Sequence, residues 1–392
     1  MLSVLLELLV ITIFLYRYSK VPYNTIHMIL KTKTAIFALL FPWVGLFGNI
    51  QKSIEERVEV YQNENVVTGM AVIAIGRDNH QKFQQIVTRG KISLKSPIPV
   101  NAFTEFRIGP LTQIITAGTL AYLVQEGQVS LNDPISKFLS KSMDLPNYKG
   151  KEITLGDLAT HTSGLPDMPY SLTSRSNFSV SQMYRFLSKY ELPREPGSKY
   201  EYSNFGYAFL SNILSRIAKR SYPELAAQLI MNPLGINDTV FTLSTEQKRR
   251  LATGYENGRG ISPLQSEKIY SVFIGSGGLY STPKDMLTFL SFNLGKEKTS
   301  LNAILPLMQT SYHSFKGFDM GLGWKINFLP NHQAAFYHLS GTLFGFGMYM
   351  GFIPDHDVGV IVLTNQGDHD PTQLGEEIIK IMSGLETFSD LV

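Results

Sequence analysis

Apolar positions follow two different periods along this chain, and the period changes from one region to the next. Val67 to Ile75 is dense in β-branched residues and predicts a strand. Asp78-Asn79 predicts a turn, and Phe83 to Thr88 the returning strand. Gly321-Leu322-Gly323-Trp324 predicts the start of the closing strands. Ala335 to His338, Gly345 to Ile353 and Val358 to Thr364 follow as strands, with Asp355-His356-Asp357 as a turn. Between these ends the spacing is helical. A long helix opening at Pro110 puts Ile114, Ile115, Ala117, Gly118, Ala121, Leu123 and Val124 on its inner side, and Gly127 suits its C-cap. Leu131 to Pro134 predicts a turn, and Ile153 to Thr160 a short amphipathic helix. Ser179 to Leu187, Gly206 to Ala218, Tyr222 to Ile230 and Pro283 to Phe292 predict further helices, with Pro223 suited to a first turn. Gln51 to Asn63 predicts a polar helix with Ile54, Val58 and Tyr61 as a thin apolar stripe. Strands at both ends and helices between give an α+β fold class. The expected sheet subdomain comprises residues 51–110 and 266–392, with a mainly helical subdomain over 111–265.

The first 50 residues have a different pattern. Leu2 to Tyr16 is apolar apart from Ser3, Glu7 and Thr12. Ala35 to Ile50 is a second apolar run, broken at Pro42. Each is short against the ~20 residues of an ordinary membrane-spanning helix. Arg17, Lys20, Lys31 and Lys33 lie between them with no acidic residue, so the positive-inside rule keeps that loop cytoplasmic and places the later domain outside. An alternative start at Met28 makes Lys31 and Lys33 a basic n-region and Ala35 to Phe47 the apolar core of a secretory signal. A pair of buried or interfacial helices is the remaining reading. The expectation is a membrane anchor or signal region over 1–50, with the bulk of the chain extracytoplasmic (periplasmic or cell-surface), and secreted if that region is cleaved.

Composition narrows the chemistry. The 392 residues are 44% hydrophobic and carry a net charge of +3, too small to argue for a nucleic-acid partner. With no cysteine, disulfides and thiolate catalysis are excluded. The eight histidines show no metal-ligand spacing, so neither metal nor cofactor is expected. Asp355-His356-Asp357 and Asp368-His369-Asp370 read as solvated turns, and Gly275-Ser276-Gly277-Gly278 lacks the Lys-Ser/Thr ending of a phosphate loop.

Three boxes in order carry a more specific signal. Phe106-Arg107-Ile108-Gly109-Pro110-Leu111-Thr112-Gln113 joins an extended run to the long helix. Tyr202-Ser203-Asn204 follows, and then His338-Leu339-Ser340-Gly341-Thr342 on a strand. Secondary landmarks are His161 to Pro166, Asn232-Pro233-Leu234-Gly235, Gly277 to Thr282 and Asp285-Met286. Together, over about residues 55–390, they resemble the serine β-lactamase and penicillin-binding protein family, in particular its class C and D-Ala-D-Ala carboxypeptidase-like members. The family pattern is F-R-I-G-S-x-x-K, Y-x-N, and K-T-G or H-x-G. Here Pro110 stands at the family's Ser position and Gln113 at its Lys position.

The resemblance implies a β-lactamase/DD-peptidase-like fold and a site at these boxes. In such enzymes the Ser is the nucleophile and the Lys lies one helical turn on. The Tyr exchanges protons with them, and the third box supplies a polar side chain and a strand N–H. Pro110 has neither hydroxyl nor backbone N–H, so it removes the nucleophile and half of the oxyanion hole. Losing one such donor costs ~100- to 1,000-fold in rate. Gln113 does not titrate, and Tyr202 without a neighbouring amine is a poor base near neutral pH. Proline nevertheless suits a helix start, and glutamine suits a helix.

Three nearby hydroxyls could in principle replace the nucleophile. Thr112 is about 200° round the helix from Pro110 and is expected to face the core. Ser203 reads as a loop hydrogen-bonding residue. Ser340, standing for the third box's Gly, is the alternative nucleophile, though a Ser340–His338 dyad is disfavoured because residues two apart on a strand seldom bond through side chains. The third box is also one residue longer than the pattern, and Leu343 and Phe344 are expected to make the cleft wall narrower and more apolar. The expected protein is therefore a non-catalytic, membrane-attached relative of these hydrolases. Pro110, Gln113, Asn204, His338 and Gly341 would form a vestigial or ligand-binding site, with Tyr202 catalytic only if activity remains. A peptidoglycan-type peptide or a protein is the expected partner. The alternative is an active carboxypeptidase, esterase or β-lactamase with a displaced nucleophile.

Overall fold

The computed structural model describes residues 50–78, 80–169, 178–261, 272–329 and 334–384. The apolar runs of the first 49 residues, and Asn79 of the expected turn, lie outside them. The chain divides into two units, 1–52 and 53–392, and the second carries the sheet.

The elements that position the site are α1 (Ile50–Glu64), β1 (Gly69–Asp78), β2 (Gln81–Gly90), α2 (Thr112–Gln125), α3 (Asn204–Ala218) and α4 (Pro283–Asn293). They are followed by β3 (His313–Phe315), β4 (Phe318–Met320), β5 (Lys325–Phe328), β6 (Ala335–Leu343), β7 (Phe346–Ile353), β8 (Val358–Thr364) and α5 (Thr372–Ser383). One antiparallel eight-stranded sheet runs in the order β2-β1-β8-β7-β6-β5-β4-β3. The first and last strands in sequence thus pair, as second and third of the eight, with Met70 opposite Thr364 and Ile75 opposite Gly359. β1, β7 and β8 are apolar and buried over most of their length, because helices cover the sheet: α4 packs on β1 and β8, and α5 on β7 and β8.

The C-terminal helix α5 escapes the sequence reading. Its signal is present in Leu374, Ile378, Ile379 and Met382, which recur at helical spacing and are buried. The β3 and β4 strands also escape it, being only three residues each.

Helix α2 is the centre of the other side. Eleven of its fourteen residues are buried, including Thr112, Gln113, Thr116 and Thr119, so it has no solvent face. A polar residue in such a helix must find its hydrogen bonds inside the protein. Thr112 accepts from the Leu279 N–H at 3.3 Å, which confirms its inward direction. Thr116 bonds the Gly275 carbonyl at 2.6 Å and the Tyr222 hydroxyl. Gln113 bonds across to three residues on two other segments, and that network is the core of the site.

Candidate functional site

Pro110 sits in one turn of 3₁₀ helix, Gly109–Leu111, which leads directly into α2. The position suits proline, since the first N–H groups of a helix have no internal acceptor. Its ring packs against β6. A Cβ built on Gly341 would lie 2.9 Å from Pro110 Cγ, so only glycine admits the ring at this approach. Pro110 and Gly341, from the first and third boxes, therefore touch, and a pyrrolidine ring lies between the helix head and the strand.

Gln113 is fully buried and joins the first box to the second. Its amide nitrogen donates to the Tyr202 hydroxyl at 2.7 Å and to Asn204 Oδ1 at 3.2 Å. Its amide oxygen meets His161 Nε2 at 3.1 Å. The Ser203 N–H donates to His161 Nδ1 at 3.0 Å. That bond makes Nδ1 the acceptor, so the proton is on Nε2 and is donated to Gln113. Burial foremost, with the charge of Lys325 adding to it, pushes His161 down to about 3. The imidazole is therefore neutral, and it packs between Tyr202 and Tyr207 at centroid distances of 4.6 and 4.9 Å. Every group in this chain of bonds is uncharged, and the donors and acceptors match.

The second box is held from behind by the loop after His161. Asp167 Oδ1 accepts from the Asn204 backbone N–H at 3.0 Å and from its side-chain amide at 2.8 Å. Ser203 donates to the Pro166 carbonyl at 2.7 Å and caps α3 by accepting from Gly206 N–H. Its hydroxyl is thus committed to the loop and the cap.

The third box does not assemble a dyad. His338 Nε2 bonds Asn327 Oδ1 at 2.7 Å on β5, and its ring stacks on Phe336. Burial, with Lys325 again second, holds it down to about 3. Ser340 instead donates to Asp370 Oδ2 at 3.3 Å, just ahead of α5. The two side chains are bonded to different partners.

β6 runs to Leu343, which pairs with Phe346. Phe344 and Gly345 then form a two-residue turn with φ of +49° and +79°, the signs a type I′ hairpin needs. Phe344 is not a residue such a turn favours. Its ring lies 5.4 Å from the Arg107 guanidinium, which on another side rests 4.5 Å from the Tyr280 ring. The structure thus sets Phe344 beside Arg107, whereas Leu343 packs by Gly109 at the helix head. Gly345 is locked to residues 254–256: its carbonyl accepts the Tyr255 N–H, and its own N–H donates to Glu256 at 2.8 Å. A Cβ there would lie 2.4 Å from Gly254 and Tyr255 backbone atoms. Gly345→Ala is accordingly expected to cost about 3 kcal/mol or more, from the left-handed backbone and the backbone collision. Urea denaturation measures it, and a loss below ~1 kcal/mol would mean the hairpin tip is not docked as described.

Four participants were not anticipated in these roles: His161 as the donor to Gln113, Asp167, Asp370 and Lys325. His161 and its loop were visible as a landmark read as scaffold. Nothing in the spacing marks Asp167, Asp370 or Lys325, because their roles depend on which loops and strands meet.

Known proteins with the same architecture match over most of the chain. The family profile described as Beta-lactamase matches residues 51–380. The D-alanyl-D-alanine-carboxypeptidase/endopeptidase AmpH of Escherichia coli K12 is 34% identical over 260 residues, 65% of this chain and 65% of its own. The alignment therefore spans slightly under two thirds of that relative. Protein flp of Staphylococcus aureus is 27% identical over 222 residues, 53% of this chain and 44% of that one. Two solved structures share the fold. A β-lactamase/D-alanine carboxypeptidase of Yersinia pestis, complexed with citrate, superposes with TM-score 0.71 at 24% identity, covering 85% of this chain and 99% of its own. One from Pseudomonas syringae gives 0.74 at 19%, covering 86% and 99%. With the three boxes in order, the sheet and helices around them, and a family profile matching residues 51–380, this chain belongs to the beta-lactamase family.

Proposed function

We propose that this protein is a non-catalytic member of the family that binds a peptide of the cell-wall type in the retained site, outside the cytoplasm. The observation that carries this is the head of α2. Pro110, which the resemblance sets at the family's nucleophile position, presses its ring on Gly341 and has no hydroxyl and no N–H to offer. Covalent acyl transfer needs a nucleophile within reach of a base, and an oxyanion needs converging donors. The neutral network of Gln113, His161, Tyr202 and Asn204 supplies hydrogen-bonding groups but no base near pH 7.

The ligand class follows from the relative whose name describes action on D-alanyl-D-alanine, brought here as a proposal. The extracytoplasmic position and the membrane attachment follow from the apolar runs and basic loop of residues 1–50. A protein partner at the same site is the competing occupant.

The test is mass spectrometry after incubation with a penicillin and with a fluorophosphonate. The expected result is an unchanged mass with both reagents, and a stoichiometric adduct would overturn the non-catalytic reading. The displaced-nucleophile reading has no support in the site, since the Ser340 hydroxyl goes to Asp370 and the His338 N–H to Asn327. Ser340→Ala is expected to change neither the labelling nor the stability by more than ~1 kcal/mol, because a single half-exposed hydrogen bond is lost. Labelling of the wild type that disappears in this variant would establish Ser340 as a nucleophile.

A further inference from the structure

The loop that follows β2 exposes apolar side chains that the fold does not use. Of the six large apolar side chains exposed among the described residues, three fall between positions 94 and 103: Leu94, Ile98 and Phe103, at 65%, 48% and 48% exposure. Single apolar residues are common on protein surfaces, whereas a group of them on one loop marks a contact. The loop is also held in place. The Ile92 N–H donates to the Ile98 carbonyl at 3.0 Å, Lys91 bridges to Pro99, and the Tyr255 hydroxyl accepts from the Leu94 N–H at 2.9 Å. Leu94 and Ile98 are therefore presented to the outside by a closed, anchored turn.

The backbone hydrogen bonds of this turn suit an apolar medium better than water. From Leu94 to Asn101 every N–H has an acceptor inside the protein. Leu94 donates to Tyr255, Lys95 to Ser93 Oγ and Ser96 to the Ser93 carbonyl. Ile98 donates to Ser96 Oγ, Val100 to the Gly90 carbonyl and Asn101 to Thr104 Oγ1. Pro97 and Pro99 have no N–H to satisfy. A loop in water can leave such donors to the solvent, but at a lipid surface each unmet donor is costly.

The flanking charge is positive. Between Asp78 and Glu105 the sequence has Lys82, Arg89, Lys91 and Lys95 and no acid. Lys91 and Lys95 are exposed, as is Lys284 in the first turn of α4, whose ammonium lies 5.3 Å from the Phe103 ring centroid. None of these three lysines is in an ion pair among the described residues. The acids Glu64 and Asp368 line a hollow that Leu94 shares with Val66, and neither Ile98 nor Phe103 borders it. Lysine is depleted in protein–protein contacts. At a bilayer its stem lies along the apolar layer while its ammonium reaches the phosphates.

We propose that Leu94, Ile98 and Phe103 enter the surface of a bilayer containing anionic phospholipid, with Lys91, Lys95 and Lys284 on its headgroups. The contact is independent of the peptide site and of the apolar runs in residues 1–50, and it lays the folded domain itself on the lipid.

The chain has no cysteine, so one introduced thiol can be labelled without background. The full-length protein carrying Ile98→Cys and an environment-sensitive nitrobenzoxadiazole label is mixed with phosphatidylcholine vesicles, with and without phosphatidylglycerol. With the mixed vesicles the emission is expected to rise about twofold or more and to shift to the blue, and with phosphatidylcholine alone to change less. The same label at exposed Ser142→Cys, in the helical subdomain, is expected to stay unchanged, which separates insertion of this loop from attachment through residues 1–50. Leu94→Glu with Phe103→Glu is expected to abolish the response at position 98, and Lys91→Gln with Lys95→Gln to remove the preference for phosphatidylglycerol. Emission at position 98 that neither kind of vesicle changes would overturn the membrane contact and leave the peptide site standing. So would an equal response at positions 98 and 142, or a blue shift that follows protein concentration without lipid, which would assign the loop to self-association.

Discussion

The variant carrying Pro110→Ser and Gln113→Lys together is expected to fold, to be less stable than the wild type, and to acquire slow acylation by penicillin, seen as a mass increase of one adduct. The gain follows from restoring a hydroxyl and an N–H at the head of α2 and an amine one turn later, on the side facing Tyr202 and Asn204. The loss of stability follows from His161. Its Nε2–H now donates to the Gln113 carbonyl, and lysine offers no acceptor there. A buried donor without a partner costs about 1–3 kcal/mol, and bringing a charge into this neutral network adds to it. Gln113→Lys alone is therefore expected to carry most of the destabilisation, and Pro110→Ser alone little of it. Urea melts separate the two, and intact-mass spectrometry reads the adduct. A folded double variant without any adduct would show that the third box, with Ser340 bonded to Asp370 and Leu343 against Gly109, blocks the reaction independently.

Acidification is expected to unfold this protein through its two neutral histidines. His161 and His338 are each held down to about 3, by burial first and by Lys325 second, against an ordinary value of 6.5. An unfolded histidine takes up its proton as the pH falls through 6.5, while the folded one resists until near 3. The unfolded state therefore binds more protons across that window. The stability due to these groups is complete above pH 6.5 and is lost progressively toward pH 3. For fully buried His161 this amounts to about 2–3 kcal/mol by pH 4.5, and to less for the less completely buried His338. Glu105 acts oppositely. Burial foremost, opposed by Arg250 and reinforced by Asp238 and Asp285, lifts it to about 8, so its contribution is lost as the pH rises from about 4.5 to 8. The decisive quantity is thus a difference of slopes. Unfolding free energy plotted from pH 7 to 4.5 is expected to fall more steeply in the wild type than in His161→Gln. Parallel lines would show that His161 is not the neutral, buried donor described here.

Much of the architecture was legible because its signals are local. The β-branched runs of β1 and β8, the apolar run of β7, and the helical spacing of α2, α3 and α4 are properties of neighbouring residues. The stripe of Ile54, Val58 and Tyr61 is buried as its spacing predicts. The Tyr222 helix holds too, although it ends in a π-helical stretch over Ala227–Met231 that periodicity does not reveal. The short β3 and β4 strands are different, since three residues are too few to show a period.

The sequence by itself pointed to the family, through three boxes in fixed order, and it set an imino acid, Pro110, and a carboxamide, Gln113, at the box that resembles the family's Ser-x-x-Lys. Those are facts of covalent chemistry, and no packing can give proline a hydroxyl or an N–H. Only the tertiary structure decided what replaces them. Gln113 is matched to His161, 48 residues away, by a tautomer that the Ser203 N–H selects. Ser340 is turned to Asp370, and β5 carries Lys325 opposite His338 and over the Tyr200 ring. Hydrogen bonds and fields depend on a few ångströms between segments remote in sequence. Strand register and helix packing set those distances, and composition and spacing do not encode them one residue at a time.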